Sequence, residues 1–226
     1  DEGVGLAEAL DRRWDLIVAN FGVGLLHLAK GEVEAAYAVL ERCLALCSVE
    51  EYPRWFAVIG AHLGHAYTLE GRIAQAVPLL EQAAAFTRSG HHARLTAYLS
   101  EAYLRAGRRD EAMALAAQTL DLARKRNERG NEAWVLRLLG EIEADPDPPK
   151  APAAERHYRE ALAVAEELGM RPLRAHCHLG LGRLARRTGS RRDADGHLTA
   201  ATRLFREMGL SRWVARAEAA LEGEVG

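Results

Sequence analysis

What most constrains this chain is that it repeats itself. Small residues recur at Gly24, Gly64, Ser100, Gly140 and Gly182, spaced by 40, 36, 40 and 42 residues. A second ladder runs through Ala36, Ala76, Ala112, Ala154 and Ala194, and a third through Cys43, Ala83, Thr119, Ala161 and Ala201. A period near 40 held in three registers sets the architecture before local propensity is considered, because each unit must bury its apolar face against its neighbours. Within a unit the apolar residues keep helical spacing, as Val33, Ala36, Val39, Leu40 and Cys43 do, followed by Ile73, Ala76, Leu79, Leu80 and Ala83. Glycines interrupt the units at Gly31, Gly71, Gly107 and Gly189 and separate them at Gly90, Gly130, Gly169 and Gly209. Two such ladders, half a period apart, give two helices per unit.

The predicted fold is therefore an all-α solenoid of about five antiparallel helical hairpins, over 13–50, 53–90, 91–130, 131–169 and 171–209, with a capping helix at 211–222. It is read as one domain, 1–226. The small residues sit where two helices cross and let the backbones approach, while Leu63, Leu99, Leu139 and Leu181 fill the flanking space. Four prolines between Asp145 and Pro152 predict an exposed loop inside the fourth unit, and Pro78 predicts a bend in the second helix of unit two. Residues 3–10 read as the last turns of a preceding helix, so the chain is expected to be a piece of something longer.

The segments 63–83, 99–120 and 181–201 resemble the tetratricopeptide repeat: Leu-Gly or its equivalent, an aromatic three residues on, a turn glycine, then spaced alanines. Tyr67 and Tyr103 fit the aromatic position, whereas His27, Glu143 and Ala185 depart from it, and unit four lacks its turn glycine. In its long period the chain is similar to the arrays attached to bacterial nucleotide cyclases and large ATP-dependent transcriptional activators. The resemblance implies a superhelix whose first helices line a concave groove that takes a protein or peptide. Transferred position by position, that partner-binding groove comprises Phe21, Leu25, His65, Arg94, Glu101, Trp134, Arg137, Glu141, His176, Arg183 and Arg186. Its apolar start and charged finish suit an extended peptide or a helix. The lysine and asparagine clamp of chaperone-binding relatives is missing.

Composition removes other classes. Thirty Lys and Arg against 32 Asp and Glu leave a formal charge of -2, and residues 151–226 reach only +3, so no nucleic-acid partner is expected. The acidic start is unlike a signal peptide, no apolar run spans a bilayer, and three cysteines suit a reducing compartment, giving a cytoplasmic reading without a membrane partner. No phosphate loop, dinucleotide fingerprint, zinc-protease or nucleophile-elbow motif occurs, so the chain is read as no enzyme, with no catalytic residues, cofactor or metal. His62 and His65 lack a third ligand, and His176, Cys177 and His178 point about 100° apart on a helix. Cys43 and Cys47 read as small buried residues, and the run Arg183, Arg186, Arg187, Arg191, Arg192 as cations around a helix end. Two functions follow: an interaction and regulatory module, such as the sensor array of a larger bacterial signalling or transcription protein, or a receptor for a small ligand or signalling peptide held by Trp134, Arg137 and Glu101. Exposed solenoid ends leave self-association open.

Overall fold

The computed structural model describes residue 5 and residues 13–48, 51–86 and 93–223. Eleven helices follow one another between residues 13 and 222, with no strand among the described residues. They fall into two compact units, Asp1–Arg108 and Arg109–Gly226. In the first, α1 (Arg13–Lys30) packs along α2 (Val33–Leu46), α3 (Pro53–Leu69) packs along α4 (Ile73–Phe86), and α5 (Ala93–Arg105) lies against both α3 and α4. In the second, α6 (Arg109–Lys125) meets α7 (Arg129–Ala144), α7 pairs with α8 (Ala151–Glu167), α9 (Arg171–Arg187) pairs with α10 (Arg191–Glu207), and α11 (Ser211–Glu222) covers α10. The predicted third hairpin thus supplies α5 to one unit and α6 to the other. Residues 3, 4 and 6–10, read as the end of an earlier helix, lie outside the described residues, as does Gly90.

The helices cross where the small residues stand. A Cβ added at Gly64 would lie 2.5 Å from Leu80, one at Gly182 2.6 Å from Leu198, and one at Gly24 2.7 Å from Leu40. Ser100 is wholly buried. The alanine ladder is buried without exception, which is why no larger residue repeats there. In unit four the facing residue is Tyr158, whose ring lies 2.9 Å from the Cβ that Gly140 lacks and also presses on Gly180.

The hairpin turns share one geometry. At Gly31, Gly71, Gly107 and Gly189 the backbone is left-handed, and the next residue's N–H reaches back to a carbonyl five residues earlier, as Arg72 does to Tyr67 at 2.9 Å. Between hairpins Gly169 and Gly209 do the same, but Gly130 does not: it lies inside α7. The left-handed residue is Asn127, at φ 56°, with Glu128 N–H donating to Ala123 at 2.9 Å. Asparagine tolerates this conformation better than other side-chain-bearing residues, so the turn falls three residues before the glycine that predicted it.

Tyr67 and Tyr103, the two aromatics at the repeat position, also act alike. Tyr67 donates to Glu41 at 2.6 Å under the Arg72 guanidinium, and Tyr103 donates to Glu81 at 2.9 Å under Arg108. Each pins a first helix to the second helix of the preceding hairpin. Where Glu143 replaces the aromatic, it accepts from His157 within its own hairpin at 2.6 Å.

The proline-rich segment is a loop of Asp145–Lys150 only, because Ala151 and Pro152 already belong to the first turn of α8, where proline loses nothing by lacking an N–H. The Asp147–Pro148 peptide bond is cis. The loop is exposed at Asp147 yet tied down: Arg187 donates to the carbonyls of Ala144 and Pro146, the latter at 2.6 Å, and Arg109 pairs with Asp145. Pro78 is carried inside an unbroken α4.

Candidate partner-binding surface

In the first unit α1, α3 and α5 share a face crossed by a chain of aromatic contacts. Trp14 meets Trp55 edge-on at 5.3 Å, Trp55 meets Phe21 at 5.5 Å, Phe21 meets His62 at 5.3 Å, and His62 meets Tyr98 at 5.5 Å. His65 stacks on Tyr98 with centroids 4.0 Å apart and lies 3.6 Å from Glu101. Edge and offset geometries of this kind are the favourable ones for aromatic rings. Burial pushes the Tyr98 hydroxyl up, while Arg94 pulls it the other way. Phe21, His65, Arg94 and Glu101 are therefore brought together, and Leu25 lies one turn beyond Phe21 on α1. The N-terminal end of this face is apolar and open, with Trp14 38% and Val18 41% exposed.

In the second unit the corresponding helices α7, α9 and α11 carry Trp134, His176 and Trp213. His176 lies 5.7 Å from Trp134 and 4.4 Å from Trp213, and Phe205 backs it at 5.1 Å. The Arg137 guanidinium lies over Trp134 and is paired one turn on with Glu141, while Arg216 lies over Trp213 at 4.9 Å. Arg137 is only 8% exposed, so its charge is held in place by ring and carboxylate. Arg183 is exposed on α9. Arg186 faces elsewhere: it donates to the Leu221 carbonyl at 2.6 Å and pairs with Asp195, tying α11 to the last hairpin.

Residue transfer missed Trp14, Trp55, His62 and Tyr98 in one unit and Trp213 in the other. A signal for them was present: Phe21, His62 and Tyr98 recur at nearly the repeat period, as do Trp134, His176 and Trp213. His62 donates through Nδ1 to the Val58 carbonyl at 2.8 Å and packs between rings. Among the described residues no group of three His, Cys, Asp or Glu side chains converges to hold a metal ion. The cysteine thiols are free and buried, with burial pushing Cys43 and Cys177 up to about 12. A value raised in this way disfavours the thiolate, the nucleophilic form, at both positions.

The sequence profile of the tetratricopeptide repeat matches residues 67–133, from the aromatic of unit two to the start of α7. Residues 67–133 carry the tetratricopeptide repeat. Solved structures share the helical-hairpin fold over most of the chain. BtubC from P. vanneervenii is 18% identical, with a TM-score of 0.63 covering 92% of this chain and 87% of that one. Aspartyl phosphate phosphatase F from Bacillus subtilis is 13% identical, with a TM-score of 0.64 over 96% of this chain and 58% of that one. A signal transduction ATPase from Pyrococcus horikoshii, described as having a tetratricopeptide repeat sensor, is 18% identical, with a TM-score of 0.62 over 92% of this chain and 32% of that one. At these identities the likeness is one of fold. No curated protein matches by sequence. Among the described residues no helix is long and apolar enough to cross a membrane.

Proposed function

We propose that this chain is a protein-binding module whose first-helix faces, one in each unit, take an extended peptide or a helix of a partner. The observation that carries the reading is the chain of ring contacts along the first helices of each unit, Trp14 to Tyr98 and Trp134 to Trp213. Half-exposed aromatics held in fixed mutual geometry are what a binding face needs: large apolar area whose rotamer entropy has already been lost. The first unit's face offers apolar anchors at Trp14 and Val18 and the second unit's face offers cations at Arg183 and Arg216, so a segment bound by the first is expected to present apolar side chains and one bound by the second carboxylates. A sensor role in a larger signalling or transcription protein is supported by the resemblance of the long-period repeat and by the fold shared with the Pyrococcus horikoshii sensor.

The test is selection of peptides from a displayed random library on the immobilised chain, followed by titration calorimetry. Selected peptides should carry aromatic or aliphatic anchors together with Asp or Glu. Trp14→Ala combined with Trp55→Ala, and Trp134→Ala combined with Arg183→Glu, should each weaken binding by more than about tenfold, a loss typical of removing an anchor residue. Arg137→Glu is unsuited, because it would place a buried carboxylate beside that of Glu141. Peptides that bind all variants equally, or no selected peptides at all, would remove support for this face.

A further inference from the structure

His176, Cys177 and His178 follow one another on α9 and point three ways. His176 joins the ring chain with Trp213, Cys177 is buried, and His178 turns to α10, where it meets His197. The two Nδ1 atoms lie 3.0 Å apart and the ring centroids 5.2 Å apart, with both side chains half-buried. Such a contact between imidazoles requires one Nδ1 to carry a hydrogen and the other to offer a lone pair, so the accepting ring must be neutral. If the acceptor gains a proton, two N–H groups face each other at hydrogen-bond distance and the attraction becomes a clash.

The surrounding charges bear on that proton. Arg174 faces the pair from α9, Arg203 and Asp193 from α10, and Arg159 and Glu155 from α8. Arg159 is paired with Glu155 at 2.7 Å, and Asp193, which accepts from Ser190 at 2.7 Å, keeps its charge; these two carboxylates favour a proton on His197, while Arg174 and Arg203 oppose one on His178. Burial first, then His197 and the arginines, push His178 down to about 4, and burial with Arg159 also lowers His197. The same arginines disfavour a metal cation, and no third ligand joins the pair among the described residues.

We propose that the His178–His197 contact is an acid-sensitive latch that holds the α9–α10 hairpin at neutral pH and releases it on acidification. For a histidine whose folded value lies below the ordinary one of about 6.5, the stabilising contribution is complete above that value and is lost as pH falls toward about 4. Since α9 also carries His176 in the ring chain, release would loosen the proposed binding face of the second unit. That consequence rests on the function proposed above; the latch itself does not.

Two measurements on the full chain test it. Histidine-labelled protein followed by carbon–proton NMR from pH 8 to 4 should show one of its nine histidines remaining neutral well below 6.5, and His197→Gln should move that titration back toward 6.5. Nine histidines all titrating near 6.5 would overturn the latch. Hydrogen exchange at pH 7.5 and 5.5, corrected for intrinsic rates, should show a several-fold loss of protection in 171–207 relative to 33–46 on acidification. His178→Asn, which keeps a donor and an acceptor near the Nδ1 position but has no proton to gain, should largely abolish that difference. Equal loss in both proteins, or no loss in the parent, would equally overturn it. Should His178→Asn fail to fold at pH 7.5, the NMR titration of the parent and the exchange of the parent alone still decide.

Discussion

At Gly64 the missing Cβ is what admits Leu80, and Leu80 is itself 1% exposed with nowhere to retreat. Gly64→Ala is therefore expected to destabilise by about 1–3 kcal/mol, the usual cost of overpacking, read as a lower urea midpoint at unchanged slope. The glycine ladder was legible because its spacing tracks the repeat. Tyr158 was not, since the longer loop of unit four shifts the facing residue and brings in a ring that fills the space left by both Gly140 and Gly180. Asn127 shows the same limit at a turn: Gly130 offered the obvious stop, but the backbone took the left-handed position three residues earlier. Asn127→Gly should be close to neutral, whereas Asn127→Val should cost about 1–2 kcal/mol for a β-branched residue in that region, measured by denaturant unfolding. For the thiols, Cys43 and Cys177 near 12 and out of solvent should resist iodoacetamide at pH 8 in the native chain and react on unfolding, as counted by intact mass.

At α2, α3 and α7–α11 the N-cap residue makes no side-chain capping hydrogen bond, and long polar ties help to position the helices. Arg187 is an example: its guanidinium spans from the end of α9 to the carbonyls of Ala144 and Pro146, holding the start of the 145–150 loop. Because that side chain is over a third exposed, Arg187→Ala should cost no more than about 1–2 kcal/mol, and its signature should be faster hydrogen exchange around 145–150 with little change elsewhere. The sequence placed Arg187 in a cationic run at a helix end, and the helix end is where it lies; that it clamps a loop on another hairpin depended on how α7 and α9 pack. The capping helix was legible from Trp213, Val214, Ala217 and Leu221 on one side, and those residues do pack on the Phe205 and Leu198 cluster. Trp213→Ala should cost about 3 kcal/mol, the lower end for a large aromatic because Trp213 is only half-buried, and should lower the thermal midpoint.

Within each unit the helices touch mainly their sequence neighbours and the next hairpin, the condition under which stability becomes a sum of local and nearest-neighbour contributions. Overpacking one crossing should accordingly be felt locally: Gly182→Leu, against Leu198, should lower hydrogen-exchange protection in 171–207 more than in 13–46, whereas equal loss throughout would mean a single cooperative structure. The helical hairpins, their number and the small residues at their crossings were determined by the sequence alone, because a 40-residue period with buried alanines and glycines can be satisfied in hardly any other way. The residues of the ring chains were legible only in part. Phe21, His65, Trp134 and His176 came from register, but Trp14, Trp55, Tyr98 and Trp213 joined them because side chains from successive first helices meet at an angle that no single helix encodes. Arg186, expected on the groove, donates to the Leu221 carbonyl at the end of α11, a tie that likewise depends on how the helices pack. The pairing of His178 with His197 belongs wholly to the tertiary structure: the two lie 19 residues apart on different helices, and only the closing of the last hairpin brings their nitrogens to 3.0 Å.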